Sequence, residues 1–238
     1  MKERDAVRLP QADVVLAAGS DAQLFRLAGW AGVAGFLLWC IQPVIVALAA
    51  ADPGLDGLPD WEAFASRPWV GPLEAVVFSG IGVSRLILVL AVWAMVRQAG
   101  RGRSTVVQAG HVMGVAGAVT WLLVAGLTVA EFTSVGASLP VAAPDPGLQR
   151  GLLQGLAIVL TGYLGTFAVT AAVWTVLLVT EGRRAGVVGM PVVVVNWLFV
   201  AAFGFSLLMP FSAPWGMVGF VLQTLVLGVT FLVRSRRV

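Results

Sequence analysis

Charge is scarce in this chain. Only 11% of its 238 residues are Asp, Glu, Lys or Arg, against 59% hydrophobic residues and a mean hydropathy of +0.93. A soluble domain carries about a quarter charged residues, so a water-facing surface is excluded and lipid is the solvent the composition fits. Cysteine is nearly absent too. Cys40 is single, which rules out an intramolecular disulfide and a CxxC pair, and the thiol reads as a small core residue. One histidine, His111, together with one remote cysteine cannot build a zinc site, so no metal is expected. The chain also has no GxxxxGK[ST] loop, no HExxH and no paired-aspartate motif. Those absences remove the commonest nucleotide-dependent, zinc-dependent and prenyl-transferring membrane enzymes, and no cofactor is expected.

What the chain has is long apolar runs: 27–51, 75–96, 104–130, 151–180 and 185–233, the last divided by "MPFSAPWG" at 209–216. A hydrocarbon core of about 30 Å takes roughly 20 residues of helix. The runs lack the alternation of a barrel wall, and a helix satisfies its own backbone in lipid. The expected fold is therefore all-α: a polytopic membrane protein of six transmembrane helices, with residues 1–24 as a tail and 25–238 as one domain. "ALAA" at 47–50 resembles a signal-cleavage site, but the polar leader and apolar run before it are too long for a signal peptide. Twelve basic residues, among them Arg26, Arg97, Arg101, Arg103, Arg183, Arg184 and Arg234, fall on one side, and only Arg67 and Arg150 on the other. This places both termini in the cytoplasm and the protein in a cell's inner (plasma) membrane. The basic residues then read as membrane anchors and not as a nucleic-acid surface.

An internal echo adds detail. "GVAGFLLW" at 32–39 returns as "GVAGAVTW" at 114–121, and "AVW" at 91–93 returns at 172–174, at offsets of 82 and 81. Ala28, Gly32, Gly35 and Trp39 fall along one helix face, as do Gly110, Gly114, Gly117 and Trp121. Each set predicts a groove of small residues closed by an indole, through which two helix backbones approach. Three tandem hairpins are the economical reading of the offsets. Trp61, Trp69, Trp93, Trp174 and Trp215, near helix ends, read as interfacial belt.

Intramembrane polar groups are the best pointers to function, because they are costly in lipid and should face the interior. Arg85 is 12 residues from Arg97, Asn196 is 12 from Arg184 and Gln223 is 11 from Arg234, so all three lie about 17–18 Å from the basic edge. Thr170 joins that layer, and Tyr163 shares a helix face with it. Two uses compete: Arg85 hydrogen-bonds the amide carbonyls of Asn196 and Gln223, or its planar fork binds an anionic or carbonyl-bearing ligand. Glu74, three turns above Arg85, should face the same cavity. Glu74 and Glu131, at the outer ends of their helices, are the candidate general acids of an enzyme. His111 lies near the cytoplasmic edge, away from both acids, which argues against a catalytic triad.

The stretches "RLAGWAGVAGFLLW", "FASRPWVGPLEAVVFSGIGVSRLILVLAVWAMVRQAGR" and "GYLGTFAVTAAVWTVLL" resemble a broad group of six-helix bacterial, actinobacterial-type membrane proteins known only as domains of unknown function. The resemblance implies six helices and no activity. Three functions stay open: a mid-membrane polar pocket binding membrane lipid or another amphiphilic or anionic small molecule, an intramembrane enzyme on an isoprenoid or lipid with Glu74 as its acid, or a small transporter. The transporter gains from hairpin repeats but has no midplane acid to couple an ion.

Overall fold

The computed structural model describes residues 11–49, 69–130, 146–208 and 213–237. They form six helices and, among the described residues, no strand: α1 (Gln11–Ala49), α2 (Val70–Gln98), α3 (Thr105–Ala130), α4 (Pro146–Leu177), α5 (Met190–Leu208) and α6 (Ala213–Ser235). Five of them are long and apolar enough to cross a membrane, and α5 is a shorter apolar helix. Large apolar side chains such as Val76, Ile158 and Leu198 lie on the outside, while Arg85, Asn196, Gln223 and Thr175 lie inside. That inversion of the soluble pattern is what lipid as solvent requires. The chain is a multi-pass membrane protein of six helices. α1 begins at Gln11, well before the apolar run at 27, and contains one proline, Pro43.

Each helix packs on its neighbour in the chain, and α1 packs on α6, so the six close into a ring. The order accommodates three tandem hairpins. One end of the ring gathers the arginine-bearing connections. There, Phe25 meets Phe231 at 5.8 Å, the Arg234 guanidinium lies 5.1 Å from the Phe25 ring and donates to the Val187 carbonyl at 3.1 Å. The α2–α3 and α4–α5 connections turn at Gly100 (φ 77°) and Gly186 (φ 71°), a left-handed conformation open to glycine at little cost. A π-helical turn, Leu178–Gly182, ends α4. It turns Glu181 inward, where the carboxylate accepts from Arg101 at 3.2 Å and from Arg184.

Both glycine grooves are buried as expected, but they serve non-equivalent neighbours. In α1, a Cβ on Gly32 would meet the Gly228 backbone of α6 at 2.7 Å. In α3, Gly110, Gly114 and Gly117 instead receive Leu177, Trp174 and Thr170 of α4. The indoles that close the two grooves meet edge to face, Trp39 against Trp121 with ring centroids 4.8 Å apart. Phe78, Phe167 and Phe220 complete an aromatic layer around them.

Candidate functional site

Arg85, Asn196 and Gln223 are all buried, and the amide nitrogens of Asn196 and Gln223 are committed while Gln223 Oε1 has no partner. Gln223 Nε2 donates to Asn196 Oδ1 at 2.8 Å and to Thr175 Oγ1 at 2.7 Å, while Asn196 Nδ2 donates to the Val192 carbonyl of its own helix. These bonds tie α4, α5 and α6 together in a region with no water to compete for them. Thr175 was not among the residues singled out from sequence, where threonine carries no depth-independent signal. Thr170 is buried, but its hydroxyl is spent on the carbonyls of Thr166 and Phe167, and Tyr163 is a partly buried neighbour of the aromatic cluster.

Arg85 is inside, as its depth demanded, but it does not bond to the amides. Neither terminal nitrogen of its guanidinium has a hydrogen-bond partner. Its carbon lies 4.0 Å from the centroid of Trp174 and 5.2 Å from that of Phe220. A desolvated cation–π contact contributes about 2 kcal/mol, against an effective cost of several kcal/mol for burying an ion. The aromatic cage therefore offsets part of the burial and leaves the charge under-compensated. Trp174, assigned to the interfacial belt from its position in sequence, is instead 4% exposed. The α4 helix runs on through the π turn to Gly182, which sets Trp174 two turns inside the helix end.

The layer does not line one large pocket. The principal cavity, about 710 Å³, lies toward the end opposite the arginine-bearing connections and is lined by α1, α2, α3, α4 and α6. Trp39, Phe78, Trp121, Val124 and Val221 supply apolar wall. Among the described residues its carboxyl group is that of Glu74, whose side chain is hydrogen-bonded by Gln42, and the Trp121 indole N–H is buried without a partner. Pro43 also lines the cavity; lacking an N–H, it leaves the Trp39 carbonyl without its usual helical donor. A volume of this size falls in the range of about 300–1,000 Å³ that holds drug-sized ligands.

Arg85 faces a different space. It lines a void of only about 10 Å³ with Gly32, Gly35, Ser84 and Thr224. Glu74 and Arg85, which the sequence had put on one cavity, line different spaces, and Trp39, from another helix, lines both. Gln42 was missed as well, although a glutamine inside an apolar run, in "CIQP", was the signal that could have found it. Glu131 lies outside the described residues. A third, small space near the arginine-bearing end is lined by Trp93, His111 and Glu181, with Trp93 stacked on His111 at 4.6 Å. No group of three or more His, Cys, Asp or Glu among the described residues could hold a metal ion. No family model, curated protein or solved structure matches the chain.

Proposed function

We propose that the protein binds a single amphiphilic, lipid-like molecule in the cavity, its chain against the aromatic floor and its head at Glu74 and Gln42. The observation that carries this reading is the pairing of about 710 Å³ of largely apolar space with one hydrogen-bonded carboxyl–amide pair on its wall. Such a head is neutral and hydrogen-bonding, or cationic; a carboxylate or phosphate head would oppose Glu74. Entry is lateral. Cys40 and Pro43 of α1 and Val218 and Leu222 of α6 line the cavity and are also exposed on the outside of the ring. α1 and α6 touch backbone to backbone at Gly32 and Gly228 and line the cavity further along, so the seam between them opens toward lipid. By the charge asymmetry of the connections that seam belongs to the outer leaflet.

Cys40, at the rim, is a native reporter. Protein purified in mild detergent should release a co-purified amphiphile into native mass spectra. Stripping it should speed modification of Cys40 by a bilayer-soluble maleimide, and returning the extracted lipid fraction should slow it again. Glu74→Gln should weaken retention of a cationic amphiphile and spare a neutral one. A preparation without any co-purified amphiphile, whose Cys40 reacts at the same rate with and without lipid extract, would overturn the reading.

A further inference from the structure

Around the Arg85 void, the unpaired nitrogens are all hydrogen-bond donors. Both terminal guanidinium nitrogens of Arg85 are buried donors without a partner, and so is the indole Nε1 of Trp39. Ser84 and Thr224 line the same void, and the Thr224 hydroxyl donates to the Val221 carbonyl. Gly32 and Gly35 present α1 there without side chains. Gln223 Oε1, a buried acceptor without a partner, belongs to a residue that does not line the void. A guanidinium stays protonated in proteins, and among the described residues no carboxylate pairs with it. Glu74 lines the principal cavity instead, and Glu181 is held by Arg101 and Arg184.

Three unpaired N–H-bearing nitrogens and a fixed positive charge with no carboxylate beside it call for an occupant that accepts hydrogen bonds and carries negative charge. A water molecule could donate to the Ser84 and Thr224 oxygens but would leave the charge uncompensated. Size narrows the class further. A void of about 10 Å³ has room for about one water-sized sphere, which excludes phosphate, sulfate and carboxylate-bearing molecules. We infer that Arg85, Trp39 and Ser84 form a buried site for one monatomic halide, fluoride or chloride, near the middle of the membrane. The site shares only Trp39 with the lining of the principal cavity and is flanked by Trp174 on the guanidinium, so it does not depend on what the cavity binds.

The test uses the full chain in detergent, exchanged into gluconate and titrated with sodium fluoride or sodium chloride at constant ionic strength. The unfolding temperature should rise to a plateau with one or both halides and stay flat with sulfate. Arg85→Met should abolish the halide response. Should that variant not fold, Trp39→Phe, which removes one donor and keeps an aromatic ring, should raise the half-saturating halide concentration by about tenfold, the worth of one charge-assisted hydrogen bond. Equal stability of the wild type in halide and gluconate overturns the inference. So does a halide response unchanged in Arg85→Met or in Trp39→Phe, or a response to sulfate that matches the response to halide.

Discussion

Replacing Gly32 by alanine probes the α1–α6 contact most directly. The added Cβ would lie 2.7 Å from Gly228 Cα and 2.7 Å from the Thr224 carbonyl oxygen. Both are backbone atoms, which cannot rotate away as a side chain can, so the two helices must separate. Overpacking of a close contact costs about 1–3 kcal/mol. Removing glycine from a helix interior returns up to about 1 kcal/mol, so the net loss should be about 1–2 kcal/mol. Gly228→Ala approaches the same contact from the other side, its Cβ 2.7 Å from the Val33 nitrogen, and should cost about as much. Either methyl forces the same separation, so the double variant should lose less than the sum of the two. Gly126, whose Cβ would meet nothing within 4 Å, is the control. Its alanine variant keeps the propensity gain without the clash and should equal or exceed the wild type. Denaturation in detergent, followed by circular dichroism, reads all four variants against the wild type. Wild-type stability in both Gly32→Ala and Gly228→Ala, or strict additivity in the pair, would refute the claim that these helices meet backbone to backbone.

Gln223→Leu should destabilise by about 1–2 kcal/mol, because it strands Asn196 Oδ1 in an apolar layer and removes the bond to Thr175 Oγ1, whose hydroxyl keeps only its bond to the Ala171 carbonyl. Adding Asn196→Leu should recover part of that loss, and a double variant worse than the sum of the singles would contradict the network. For topology, single cysteines placed in a Cys40→Ser background at Ser104 and Arg236, both exposed at the arginine-bearing end, should react with an impermeant maleimide only from the cytoplasmic side. Trp69→Cys should react only from outside, and external labelling at position 104 would reverse the orientation.

How much of this was legible in the sequence depended on whether a feature is local. Helix number, the arginine-bearing end, the small-residue faces of α1 and α3 and the burial of Arg85, Asn196 and Gln223 follow from hydropathy, charge and the 3.6-residue period, which act along one helix at a time. The cost of a polar group in lipid makes depth readable by counting residues from an arginine. What a face packs against is not local. The Gly32 groove meets α6 and the Gly114 groove meets α4, although nearly the same letters write both. The division of the interior into a large space at Glu74 and a small one at Arg85 was likewise decided in three dimensions. Trp39, from α1, lines both spaces, whereas Glu74 and Arg85 were read along α2 alone. The amides of Asn196 and Gln223 found each other and Thr175 because ring closure brought α4, α5 and α6 together at one depth. Asn196 Oδ1 was taken by Gln223 and Gln223 Oε1 was left unpaired, while Arg85 was left to Trp174, Phe220 and the void beside Ser84. Sequence determined which groups would be buried at the middle of the membrane; only the tertiary structure decided which of them would find partners.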